Sequence, residues 1–358
     1  MPRPSRYPGA LLAATLLAGC GDAKPETPVL ELAPAGDTVS TPYSDVTDAV
    51  WLGGDRWAII APPNEAVALI DFAARVATPL GGNRSNRLQN PATLFLAEDT
   101  LYVGDWGLRR TTLWTPAGRL VRSIPTADAV RGTLPSARDS AGHFYLDLYP
   151  PAGPDGSGNR DSAAVVRLGP GTRVDTLAML APLDIAELVG DGGRRFERRV
   201  FGGVDEWGVL PDGSVWVGRV YENRVDWRSP DGKWIRGEAL PDRVLEVTRY
   251  DRELFVRGFP PELRATARQL PFAPLKPPFE RGLTGLHGKV WLEKSRAPSD
   301  SVRQYHVVDR RGRLAREIRL HSNGRILAVG QDAVLVAEPN PDGTRLVRVR
   351  LPPASRAS

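Results

Sequence analysis

The chain of 358 residues has one cysteine, four histidines and no long apolar run. A single thiol forms no disulfide within the chain, so the core must carry the stability without covalent staples. The apolar stretch nearest the N-terminus, Ala10–Ala18, is interrupted by Thr15 and is too short to cross a hydrocarbon layer of about 30 Å as a helix. His143, His287, His306 and His321 show no H-x-H or H-x-x-x-H spacing, so the histidines spell no metal motif. A Gly-x-Ser-x-Gly elbow, a phosphate-binding loop and a dinucleotide fingerprint are missing as well. The balance of 47 basic against 42 acidic residues is not a nucleic-acid footprint, and no such partner is expected. The 33 prolines and 36 glycines are spread along the chain, which argues against long helices and for many turns.

What is present starts with the placement of the one cysteine. Arg3 and Arg6 precede the apolar stretch as the positive region of an export signal, and Leu17-Ala18-Gly19-Cys20 follows it. This tetrapeptide resembles the lipobox of bacterial lipoproteins. The resemblance implies a signal peptide over 1–19, cleavage before Cys20 and acylation of that cysteine. The plainer alternative is an ordinary signal peptide with a chance cysteine; the only thiol falling where the pattern needs it favours the lipoprotein. Residues 20–28 are small, charged and proline-bearing, as a tether between lipid and domain would be. By the family rule, Gly21 rather than aspartate after the cysteine favours the periplasmic side of the outer membrane.

The organising signal is a repeat. Pro91–Leu96, Leu101–Asp105, Thr111–Thr115 and Leu120–Ile124 are four short strand-like runs, with tight first and third turns. The same grammar recurs through Trp207–Trp234 and through Leu283–Leu320, with weaker copies near Ala49, Pro135 and Arg325. Starts at about 49, 92, 135, 206, 283 and 325 are spaced by 43, 43, 71, 77 and 42 residues. The period of 42 to 43 therefore carries two expanded units, with insertions near 150–161 and 241–281. A four-stranded unit of this size cannot bury both its faces alone, and radial stacking of such units solves that. The expectation is an all-β, six-bladed β-propeller over 29–352, followed by a tail at 353–358. The last unit holds chain for only three strands, and Val29–Leu32 is the strand expected to complete it and close the ring.

The pattern Pro-x-x-Leu followed by Leu-Tyr-Val-Gly-Asp105 and Leu-Trp-Thr-Pro-Ala-Gly-Arg119 resembles the NHL-type repeat of six-bladed propellers with NHL or TolB-like blades. No cofactor or metal is expected from the motifs; related propeller lactonases hold a divalent cation, so the resemblance raises Ca²⁺ as the alternative, with Asp105, Asp147, Glu293 and Glu338 as oxygen ligands at second-strand ends. Their strand is not the innermost, and convergence is not required of them. Thr248-x-x-Asp251 has the form of a helix capping box inside the second insertion.

Function in such a fold sits on the face shared by the second-to-third-strand loops and the between-blade loops. Asn83, Arg84, Arg87, Asp105, Arg109, Arg110, Arg219, Tyr221 and Asn223 are the candidate ligand-binding residues of that channel mouth, where arginines suit carboxylate, phosphate or acidic sugar. Structural pairing between blades competes with ligand binding for every one of them. The leading functional expectation is a monomeric, lipid-anchored cell-envelope module that binds a protein, peptide or glycan. The alternative is a lactonase-like or lyase-like enzyme at the channel mouth.

Overall fold

The computed structural model describes residues 27–81, 86–149, 163–190 and 193–352; Cys20, Asn83, Arg84, the 150–161 insertion and the tail lie outside them. Six four-stranded antiparallel blades surround a central axis. Blade 1 comprises Asp48–Gly53, Arg56–Ala61, Ala66–Asp71 and Val76–Pro79. Blade 2 comprises Pro91–Ala97, Thr100–Asp105, Arg110–Trp114 and Leu120–Pro125. Blade 3 comprises Ala137–Arg138, Phe144–Leu148, Ala164–Leu168 and Val174–Met179. Blade 4 comprises Glu206–Val209, Val215–Arg219, Arg224–Arg228 and Trp234–Ile235. Blade 5 comprises Phe279–Thr284, Val290–Lys294, Arg303–Val308 and Leu314–Leu320, and blade 6 opens with Arg325–Val329, Ala333–Asn340 and Gly343–Arg350. The first strand of each blade touches the first strands of its two neighbours, so these six line the channel.

An N-terminal strand closes the ring, but it is not Val29–Leu32. Asp37–Thr41 pairs antiparallel with Gly343–Arg350 and becomes the outer strand of blade 6. Val29–Leu32 instead runs parallel along Leu314–Leu320 as a fifth strand of blade 5, with Leu32 buried against that blade. The closing strand is polar, with only Val39 and Thr41 turned inward, and so lacks the apolar run by which a strand is recognised. Arg348 ties the closure together, pairing with Asp37 of that strand at 2.7 Å and with Asp55 in the first turn of blade 1. Between the two N-terminal strands the backbone passes so close to blade 6 that a Cβ at Gly36 would fall inside the carbonyl oxygen of Arg348. Gly36→Ala should therefore lower stability by roughly 1–3 kcal/mol in urea denaturation, through overpacking at the seam.

The blades are held by large apolar side chains between them. Trp57, Trp114, Trp216, Trp227 and Trp291 are all buried. Trp216 of blade 4 also donates its indole N–H to Thr284 Oγ1 of blade 5 at 2.9 Å. That contact joins burial of a large ring to a satisfied polar atom.

Two insertions interrupt the ring. Between blades 3 and 4 a hairpin, Ile185–Gly190 with Gly193–Arg198, projects as a separate two-stranded sheet. Between blades 4 and 5 the helix Arg249–Arg257 begins at Thr248, which makes both halves of a capping box with Asp251. Phe201, Phe255, Phe259 and Phe272 pack ring on ring where the two insertions meet. The buried Lys276–Asp251 pair at 2.6 Å fastens the helix to the chain returning to blade 5.

Candidate functional site

Of the residues singled out in the sequence, those within the described structure mostly serve as struts. Asp105, at the end of the second strand of blade 2, is fully buried and accepts the N–H groups of Gln89, Asn90 and Leu108 at 3.0–3.3 Å. It thereby fixes the loop that leads into its own blade. Asp105→Ala would strand those three donors and should cost about 2 kcal/mol in denaturant titration. Arg110 donates to the carbonyl of Arg87 at 2.8 Å, and Arg109 adopts a left-handed backbone with its carbonyl accepting Thr126 N–H. Arg219 bonds Asp205 at 2.8 Å and the carbonyl of Met179 at 2.7 Å, joining blades 3 and 4. Asn223 donates to the carbonyl of Leu240, and the exposed Tyr221 donates to that of Pro182, with partial desolvation of the phenol and the nearby Asp184 and Asp205 raising its pKa.

The four second-strand carboxylates do not come together on a cation. Glu293 is pinned by Arg303 at 2.6 Å and Arg325 at 3.1 Å, and Glu338 is engaged by Arg345 and Ser322. Asp105 faces its own loop, and Asp147 is hydrogen-bonded with Tyr149 and close enough to Glu206 to act on its charge. The second strand stands one place out from the channel, so its ends brace blades instead of meeting. Among the described residues, no group of three or more His, Cys, Asp or Glu is arranged to hold a metal ion. These residues do not fit a shared Ca²⁺ site.

Charges that do meet come from the starts of the innermost strands. Asp48 is the first residue of blade 1 and Glu206 the first of blade 4, while Arg281 lies near the start of blade 5. Arg281 reaches past blade 6 to bond Asp48 Oδ1 at 2.7 Å, and its Nη1 has no hydrogen-bond partner. Glu206 accepts the N–H of Gly282 at 3.2 Å. Glycine is needed there because a Cβ at 282 would press on Trp216 and on Glu206 Cβ. Asp48 keeps 45% of its side-chain exposure, whereas Arg281 keeps 16%.

Crowding of carboxylates inside protein walls sets the protonation. Burial, reinforced by Asp48 and Asp147, pushes the Glu206 carboxyl up to about 7 against the opposing pull of Gly282 N–H and Arg281. Burial also raises the carboxyls of Asp48 and Asp147, although Arg281 works against the first of these shifts. The mouth therefore gathers carboxyl groups whose protonated form is favoured by burial, beside one guanidinium. The sequence reading passed over all three residues. The apolar runs begin at Ala49, Trp207 and Leu283, which lie one, one and four residues inside the true strand starts, and the charged residue one or two places before each run was the available signal.

No protein-family model matches the chain, and no curated protein matches it. Its fold is similar to that of solved structures. The virginiamycin B lyase of Staphylococcus aureus is 9% identical at a TM-score of 0.43, covering 86% of this chain and 96% of that one. Regucalcin of Agrobacterium tumefaciens, a calcium-binding protein, is 11% identical at 0.46, covering 91% and 97%. A DUF4221 family member from Bacteroides vulgatus is 10% identical at 0.48, covering 86% and 92%. Likenesses this distant do not carry a function across.

Proposed function

We propose that the protein is a lipid-anchored propeller of the cell envelope that binds the polar end of a protein segment, peptide or glycan at its channel mouth. The observation that supports this reading most is the meeting of Asp48, Glu206 and Arg281 from three different blades, where struts elsewhere join adjacent elements. A ligand amine or hydroxyl would engage Asp48, and Glu206 would match a donor or an acceptor by shifting its proton. Acylation at Cys20 would hold the edge of blades 5 and 6 close to the bilayer, since nine residues to Val29 span at most about 30 Å. The lipobox-like Leu17–Cys20 is the basis for the anchor, and Gly21 rather than aspartate after the cysteine is the basis for placing that bilayer at the outer membrane, on its periplasmic side.

Capture from detergent-solubilised envelopes on the immobilised full chain is the test. A specific partner should be retained by the wild type and lost from Glu206→Gln/Arg281→Met. Repeated capture of nothing, or equal retention by the double variant, would overturn the reading.

One observation favours a second reading, a lactonase-like or lyase-like enzyme. A carboxyl titrating at about 7 beside an arginine is suited to general acid–base work. Lactone or lyase turnover abolished by Glu206→Gln would support it, and turnover unchanged in that variant would exclude this site as its source.

A further inference from the structure

The side of blade 5 that faces blade 4 changes character along its length. Val290, Leu292 and Val308 pack with Val225 and Trp227 of blade 4. Farther along the same face come Lys294, Gln304, His306, Glu317 and Arg319, which share it by the alternation of the paired strands. Blade 4 does not cover this polar half, because its outer strand is only Trp234–Ile235. The chain leaving blade 4 crosses there without regular structure, and a cavity of ≈ 530 Å³ remains between Pro241–Arg243, the polar half of blade 5 and its loop at 295–302.

The groups lining the cavity are incompletely satisfied. His306 is 5% exposed, and its Nδ1 has no hydrogen-bond partner; Ser295 Oγ has none either. Lys294 is 8% exposed and is held only by long contacts, 3.3 Å to Asp242 and 3.5 Å to the carbonyl of Pro241. The nearby arginines are already engaged: Arg243 with Asp300, Arg296 with the Asp300 carbonyl, and Arg319 with Glu317. Lys294 has three donors against one carboxylate and one carbonyl, so one N–H remains for an incoming anion, amid hydroxyl and amide groups. Buried polar groups of this kind cost stability until they are paired.

We propose that this cleft binds a small hydroxylated carboxylate, its acid group on Lys294 and Ser295 and its hydroxyls on Gln304 and His306. The site is separate from the channel mouth and independent of what binds there. Burial lowers the pKa of the Lys294 amine and holds the His306 imidazole at about 4, so the histidine is neutral and offers one donor and one acceptor. The cavity is within the size range of small-molecule sites, roughly 300–1,000 Å³.

Isothermal titration of the full chain with D-glucuronate and with citrate tests the assignment, with D-glucose and inorganic phosphate as comparison probes. At least one carboxylate should bind with Kd below about 10 mM, and glucose at least tenfold more weakly. Lys294→Met should weaken carboxylate binding about tenfold or more, and Ser295→Ala several-fold, with melting temperatures showing both variants folded. No binding of either carboxylate, equal binding of glucose, binding of phosphate alone, or unchanged affinity in folded Lys294→Met would each overturn it.

Discussion

Replacing Glu293 with alanine is expected to cost about 3–5 kcal/mol, because it removes the buried anion that two arginines share. Glu293 is 1% exposed and lies between Arg303 of its own blade and Arg325, the first residue of blade 6. The Nε atoms of both arginines already lack partners. Without the carboxylate the two cations would face each other across the seam of blades 5 and 6. Glu293→Gln should fall between wild type and alanine, since it keeps the shape and one acceptor but not the charge. Urea denaturation of the three proteins would show the order, and hydrogen exchange should localise the loosening to 325–329. Wild-type stability in the alanine variant would mean that the triad contributes nothing.

Glu206→Gln should flatten the pH dependence of stability, and its sign follows from linkage. The folded carboxyl titrates at about 7, against an ordinary value of 4.5 in the unfolded chain. Between those two values the folded state holds the extra proton, so this group's contribution is full below about pH 4.5 and is lost as pH rises through 7. At pH 8 the buried charge is then a burden on the order of 2–3 kcal/mol, which the glutamine removes while keeping an acceptor for Gly282 N–H. The variant should melt higher than wild type at pH 8 and close to it at pH 4.5. Equal melting temperatures at pH 8 would show that the carboxyl is not crowded as the channel geometry requires.

How far the sequence could be read differs between fold and site for a physical reason. The blades announce themselves because each repeats the same apolar runs and glycine turns, and a slip of one residue at a run's edge leaves the count of six unchanged. The site tolerates no such slip. Asp48, Glu206 and Arg281 are single charges at the edge of a run, and one or two residues decide whether such a charge faces the channel or a neighbouring blade. The closing strand was hidden differently: Asp37–Thr41 is polar, while the more apolar Val29–Leu32 found an equally open edge on blade 5. The hairpin at 185–198 was also missed, because the 71-residue spacing was assigned to the 150–161 insertion alone. Asp105, Arg219 and Glu293 were legible as charged strand ends, but whether an end braces or binds depends on partners far away in the chain. Arg325 is 32 residues beyond Glu293, and Asp48 is 233 residues before Arg281.

That the channel mouth is the binding face is tested most directly by photo-crosslinking in intact envelopes. A photoreactive residue at the exposed Ser136, beside the innermost strand of blade 3, reports on the mouth; one at the exposed Ala117, in the third turn of blade 2, reports on the opposite face. The expected result is a discrete adduct from position 136 that Glu206→Gln/Arg281→Met abolishes, with none from position 117. An adduct from position 117 alone would contradict the account.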